Sequence, residues 1–466
     1  MRLKTATFLF IITSLCISTI CCTRKKAQNV TPNNKVELSI IGNAETFPAL
    51  ETMASLFHKQ YPECKINYEY LQNYSQTLPI RLRNEKSAVD IFVSPNIQKG
   101  SPIQPYALEL FSQKDKLDIS QTFPGLIENF TYKDADHPDE KKIYSIPYGA
   151  ELRGMFVNKT LLSKYNIAVP KNRAEFLAAC EKLKNNGYTP IQGNPGNCPQ
   201  WLLIPYVCNI VANNKNYDEC FNAINSHQPG ISEYFRDPMQ FLYTLVQKDY
   251  YNYKYVENTY SFFKNASIDD EGKGFFNIVK KGSTYEKKDD EGTIAFMPAP
   301  LSHNTYLSKI KDDYHSKIEY VFILSPVGDN GGYVYLSPSD GFAINKNSKN
   351  IEWSLKFLNF LFEPDNNITF TKLNNNFSNT INVFAQVKEQ FPMPNDHFAQ
   401  LGSINFDYPF YATIVESIIE IAKANNPKYM QQNNDGTYSI RSFDYYMDNL
   451  STRLEKPETG INDSLK

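Results

Sequence analysis

The 466-residue sequence predicts an α/β protein of two domains, each a mostly parallel sheet flanked by helices. Two observations carry that prediction. The chain is longer than a single hydrophobic core usually serves, and its folded body opens with a β-α-β-α-β alternation. Hydrophobic residues at 41% and charged residues at 21% describe a folded chain rather than a disordered one. A formal net charge of -2 lacks the basic surface that nucleic-acid binding requires.

The start of the chain sets the compartment. Arg2 and Lys4 precede an apolar run from Ala6 to Ile20, which ends at Cys21-Cys22 before Thr23-Arg24-Lys25-Lys26. A basic start, a short apolar core and a polar exit describe an export signal too short to span a bilayer. Residues 1–21 are therefore read as the signal and 22–35, with its polar NVTPNNK stretch, as a tether. The cysteine pair resembles a lipoprotein processing site, where a cysteine becomes the lipid-modified first residue of the mature chain. Cys22 is the expected acceptor and Cys21 the alternative.

The body begins with a strand, Val36 to Asn43. Phe47, Leu50, Met53, Ala54 and Phe57 then recur at helical spacing until Pro62 stops the helix. Cys64 to Leu71 alternates as a strand, Thr77 to Asn84 reads as a helix, and Ala88 to Ser94 is an apolar strand. Ligands of parallel sheets lie beyond the carboxyl ends of strands, which places Asn43, Glu45 and Ser94 at a cleft. A further strand follows Tyr144, a helix begins near Lys159, and Asn172 to Asn185 is amphipathic, closed by Gly187 at a positive φ. IQGNPGNCPQ (191–200) is a loop that delivers Trp201 into an apolar segment. Tyr206 to Lys281 reads as mostly helical and Ser283 to Gly292 as an exposed polar loop. Thr293 to Met297 is a strand that halts at Pro298. Tyr320 to Ser325, Gly332 to Leu336 and Phe342 to Asn345 are strands, and Asn350 to Phe362 is a helix whose Trp353 packs in the core.

The pattern offers no catalytic constellation. The six histidines are isolated from one another, and no HExxH, GxSxG or P-loop lysine occurs. The runs Asp269-Asp270-Glu271 and Asp289-Asp290-Glu291 lack the alternating oxygen ligands of a calcium loop and read as solvated turns. No CxxC or Cys/His spacing suits a metal, so neither metal nor cofactor is expected. Cys198, Cys208 and Cys220 are close enough in the chain for one disulfide, and buried free thiols are the alternative.

Four segments, in order, resemble the family 1 extracellular solute-binding proteins, the group that contains maltose-binding protein. They are Tyr144 to Ile191, Pro195 to Pro205 with Trp201, GTIAFMPAP (292–300), and SDGFAIN (339–345) with its following helix. The resemblance implies a two-lobed α/β fold of the type II periplasmic-binding-protein kind, with several crossings between lobes. Residues 36–147 and 297–338 would form the first lobe, and 148–296 and 339–466 the second. It further implies a monomeric binding protein, not an enzyme, lipid-anchored outside the cytoplasm, that passes a small solute, a sugar above all, to the permease subunits of an ABC importer. A surface lipoprotein of the same fold that serves a sensor or another protein is the alternative. By that resemblance Trp201 stacks on a sugar face and Glu151 accepts two hydroxyls or pairs with Arg153. Tyr148 and Asp340, at crossings, bind solute or fix the hinge, and Met297 and Pro298 supply an apolar floor.

Overall fold

A computed structural model describes residues 35–42, 48–71, 73–84, 89–94, 96–97, 100–134, 137–191, 230, 232–251, 273–329, 331–333, 335–380 and 383–391, with scattered positions between 434 and 450. The first strands and helices follow the alternation of the sequence. β1 (Val36–Gly42), α1 (Pro48–Gln60), β2 (Cys64–Tyr70), α2 (Tyr74–Arg83) and β3 (Ile91–Ser94) come first, and the three strands are parallel with β1 between β2 and β3. Apolar residues at helical spacing on α1, among them Leu50, Met53 and Phe57, are wholly buried on this sheet.

The chain then makes α3 (Pro124–Phe130) and a hairpin of β4 (Thr131–Asp134) and β5 (His137–Ile143). A two-residue strand, β6 (Ile146–Pro147), joins the edge of the first sheet. Directly after it comes β7 (Gly149–Asn158), the axis of the second sheet. α4 (Lys159–Lys164), α5 (Arg173–Asn185) and α6 (Glu233–Gln247) follow among the described residues. Asn158 Oδ1 accepts from the Leu161 N–H at 2.9 Å and so caps α4. Asn172 accepts from the Glu175 N–H while the Glu175 carboxylate reaches back to the Lys171 N–H, the reciprocal arrangement that fixes a helix start. Gly187, at φ 88, ends the turn after α5 as expected.

Between α6 and the next long strand the structure differs from the sequence reading. Residues 283–292 are not a plain loop: β8 (Ile278–Lys281) and β9 (Thr284–Lys287) form a hairpin. The acidic run after it is a built turn, where Asp289 Oδ1 accepts from the N–H groups of Glu291 and Gly292. β10 (Phe296–Pro300) runs through Pro298 rather than stopping before it. Among the described residues Pro298 itself pairs only with Met155 of β7, while the neighbouring Ile191 bridges β10 at Phe296, so its missing donor breaks no described ladder.

α7 (Asn304–Asp313) follows, then β11 (Tyr320–Ile323), β12 (Ser325–Gly328), β13 (Gly331–Tyr333), β14 (Tyr335–Pro338) and β15 (Gly341–Ile344). α8 (Ile351–Phe362), α9 (Pro364–Leu373), β16 (Phe377–Ser378) and α10 (Val383–Gln390) complete the described body. β10, β11, β14 and β16 all pair with β7, and all run antiparallel to it. Arg153 lies opposite both Pro300 and Tyr335, and Ala150 opposite both Pro338 and Phe377, so β7 carries partners on both edges. The second sheet is thus antiparallel where a parallel one was expected, because its strands arrive by returning crossings rather than by β-α-β units.

Lobe membership also departs from the expectation. Residues 297–338 were assigned to the first lobe, yet β10, β11 and β14 pair with β7. Residues from 339 were assigned to the second, yet β15 pairs with β3 and β6, and Leu355, Phe357, Leu358 and Leu361 of α8 join the core of the first sheet. A Pro-rich strand end marks where the chain changes course, but periodicity does not say toward which sheet it turns. Each sheet has its own core: Leu38, Phe57, Ile91 and Phe342 on the first, and Leu152, Met155, Phe176 and Phe296 on the second.

Candidate functional site

Three stretches of chain lie side by side where the two sheets meet. Tyr148 donates its N–H to the Asp340 carbonyl at 3.2 Å, and Ser339 donates its N–H to the Gly149 carbonyl at 3.0 Å. The third stretch is tied in by side chains: Asn379 donates to the Pro147 carbonyl at 2.7 Å and Asn367 to that of Tyr148 at 2.9 Å. Gly149 has to be glycine here, since a Cβ would sit 2.7 Å from the Phe377 carbonyl oxygen.

On the first-sheet side the carboxyl ends of β1 and β3 are covered by Tyr74, whose hydroxyl donates to the Val93 carbonyl at 2.5 Å and the Ile41 carbonyl at 3.3 Å. The Tyr68 hydroxyl lies over Gly42, so close that a Cβ there would meet it at 2.5 Å. Ser94, at the end of β3, is 1% exposed, and its hydroxyl has no partner among the described residues. Asn96 Oδ1 is likewise buried and unpartnered. Buried polar atoms are seldom left this way.

On the second-sheet side the period of a strand puts Glu151 and Arg153 on one face of β7. They form an ion pair at 2.9 Å; Glu151 also accepts from the Ser302 hydroxyl at 2.5 Å, and Arg153 donates to the Ser337 hydroxyl at 3.0 Å. Ser302 belongs to the short 3-10 turn Leu301–His303 that follows β10.

Electrostatics tie the two sides together. Burial first, then the negative charges of Asp340 and Glu151, drives the Tyr148 hydroxyl well above its ordinary pKa. Burial and Asp340 do the same to Tyr74. The His303 imidazole is desolvated and lies near Arg153, which together outweigh Glu151 and bring it down to about 4. The site therefore sets the Glu151–Arg153 ion pair beside a neutral imidazole and protonated tyrosine hydroxyls. Such a set can both accept from and donate to hydroxyl groups.

Of the residues expected at a cleft, the structure brings Ser94, Tyr148, Glu151 and Asp340 together. The Tyr148 ring packs on Phe342 and Phe370 at 5.6 and 5.3 Å, so only its hydroxyl end faces the charges. Met297, 2% exposed, packs with Phe156, Phe275 and Leu307 in a core cluster, and Pro298 is buried in β10 opposite Met155. Asn43, Glu45, Trp201 and Cys22 lie outside the described residues. Tyr68, Tyr74, Ser302 and His303 were not expected. The strand-end rule that pointed to Ser94 points equally to Tyr74, and Ser302 follows β10 just as Glu151 follows β6. Cys64 and Cys180 are free and buried. Among the described residues no group of three or more His, Cys, Asp or Glu could hold a metal ion, and no helix is long and apolar enough to cross a membrane.

Two open-ended sheets, crossed three times by the chain with polar side chains from both sides at the crossings, define a two-lobed binding protein. The sequence pattern of the bacterial extracellular solute-binding proteins matches residues 42–368, and the chain belongs to that family. An uncharacterised ABC transporter extracellular-binding protein of Pyrococcus horikoshii is 25% identical over 174 residues, a match that spans 35% of this chain and 36% of that relative. The acarbose-binding GacH receptor of Streptomyces glaucescens shares the fold with a TM-score of 0.58 at 14% identity, over 92% of this chain and all 100% of that one. The mannobiose complex of an ABC transporter binding protein from Bifidobacterium animalis subsp. lactis gives 0.55 at 16% identity, over 91% and 95%. Maltose-bound MalE3 of T. maritima gives 0.55 at 14% identity, over 90% and 99%.

Proposed function

We propose that this protein captures an uncharged carbohydrate at the junction of its two sheets and hands it to an ABC importer. The observation that carries the reading is the polar set around Asp340: carboxylates and tyrosine hydroxyls from both sheets, with Arg153 paired to Glu151. Hydroxyl-rich neutral solutes match such a set of acceptors and donors. The acarbose, maltose and mannobiose bound by proteins of the same fold support the same class. Binding, not turnover, is the role this set suits. The first lobe would comprise 36–147 with 339–373, and the second 148–338 with the chain from 374. Trp201 would add a stacking face, and Cys22 a lipid anchor outside the cytoplasmic membrane.

Thermal unfolding of the body after Lys26 against maltose, mannobiose, xylo-oligosaccharides, polyols and peptides tests the reading. A ligand at about 100 times its Kd adds roughly 2.7 kcal/mol of stability. Stabilisation by neutral saccharides is expected; stabilisation by a peptide alone would replace the sugar with another solute. For the anchor, Cys22→Ser should move the protein from the membrane fraction to the soluble one, and continued retention would point to Cys21 or an uncleaved signal.

A further inference from the structure

The turn between α9 and β16 carries two polar atoms that the fold leaves unused. Among the described residues Asn374 Nδ2 and Asn376 Oδ1 are both buried with no hydrogen-bond partner, and Asn376 is only 8% exposed. Leaving a buried donor or acceptor unpaired is costly, so two such atoms in one turn call for an occupant.

The turn is not loose. Asn374 and Asn376 donate their N–H groups to the Thr371 carbonyl at 3.1 and 2.8 Å, and Asn375 donates to that of Lys372 at 3.1 Å. Between them Asn375 takes the left-handed conformation, φ 53, and its side chain is spent on the start of α7. Its Nδ2 donates to Thr305 Oγ1 at 2.6 Å and its Oδ1 accepts from Asn304 Nδ2 at 3.4 Å. Those bonds hold the turn beside the Ser302–His303 segment that touches Glu151. On its other flank, Asn376 Cβ lies 3.7 Å from where a Cβ on Gly149 would stand, next to Tyr148.

We propose that Asn374 and Asn376 form a hydroxyl-reading edge of the binding site, Asn374 donating to one sugar oxygen and Asn376 accepting from a hydroxyl. The two side chains are two residues apart in a pinned turn, so they present one donor and one acceptor together, the complement of adjacent hydroxyls on a pyranose. This rests on the carbohydrate reading above and sharpens it: the ligand carries a free neighbouring hydroxyl pair, and a deoxy sugar lacking one of them binds worse. A bound ligand then supplies what the unliganded fold lacks.

The test compares wild type, Asn374→Ala and Asn376→Ala by thermal unfolding without ligand and by calorimetric titration with maltose, mannobiose and xylo-oligosaccharides. Because neither atom supports the fold, both variants should melt at or above the wild-type midpoint while binding saccharide about tenfold more weakly. Unchanged affinity in both variants would overturn the inference and leave water as the partner of these atoms, with the carbohydrate reading intact. A sharp fall in the unliganded midpoint, or failure to fold, would also overturn it by showing that the asparagines hold the crossing. Saccharide binding absent even in wild type would overturn the carbohydrate reading and this inference with it.

Discussion

At the scale of single residues the site is governed by what its charges do to one another. Glu151 and Arg153 are about four-fifths buried, with 19% and 21% of their side chains exposed, and each satisfies the other. Glu151→Ala would leave a largely buried guanidinium without its carboxylate, so it should lower both stability and solute affinity, whereas Glu151→Gln should spare more of the fold. Unequal melting midpoints for the two variants would show this. His303 makes the pH dependence specific. Its imidazole titrates near 4 in the folded protein against an ordinary 6.5, so the unfolded chain takes up the proton first. Stability tied to His303 is therefore complete above pH 6.5 and is lost as pH falls toward 4. His303→Gln should flatten that part of the stability curve, and curves that run parallel for wild type and variant would contradict a buried neutral imidazole. The sequence left Glu151 two roles, a hydroxyl acceptor or the partner of Arg153, and folding shows the ion pair. His303 was not legible, because a lone histidine after a strand carries no sequence signal until folding sets it beside an ion pair.

At the scale of elements, amphipathic spacing and caps were readable because they are local. α1, α5 and α8 start and stop within a residue or two of where Pro62, Asn172 and Gly187 or the apolar period place them. The hairpin of β8 and β9 escaped notice because its residues, Lys-rich and polar, carry no alternating apolar face; cross-strand pairing and the Asp289 turn hold it instead. β7 is the element on which most depends, and its end is tied by Asn158, which is wholly buried. Its Oδ1 caps α4, and its Nδ2 donates to the Glu291 carbonyl at 2.8 Å, joining the helix start to the turn before β10. Asn158→Ala removes both bonds at once and should cost about 2 kcal/mol or more, since a lost cap and a stranded buried carbonyl add. Chemical denaturation would read it directly, and a loss within a few tenths of a kcal/mol would show that β7 is held without this tie.

At the scale of the molecule, the number of lobes was legible and their membership was not. Length and repeated α/β segments call for more than one core, and each of the two large sheets carries its own, but the sheet that a returning strand joins depends on contacts between residues far apart in the chain. Phe342 of β15 sits opposite Val93, and Leu336 of β14 opposite Leu152, pairings between positions 249 and 184 apart in sequence. The crossings carry the consequence. They are short and bonded to one another through Tyr148, Gly149, Ser339 and Asp340, with Asn367 and Asn379 gripping them from the third stretch. On the proposed function, such a junction would let the lobes turn about a few backbone positions while polar groups from both approach the solute. Ligand can favour the closed arrangement only to the extent that it binds that arrangement better.

The most direct test is small-angle X-ray scattering of the exported body, with and without the saccharide that stabilises it most. Capture between lobes predicts a smaller radius of gyration with the saccharide, and a matching fall in its affinity when Asp340 is replaced by Asn. Saccharide binding with an unchanged radius, and with affinity indifferent to Asp340→Asn, would contradict binding at the junction of the two sheets.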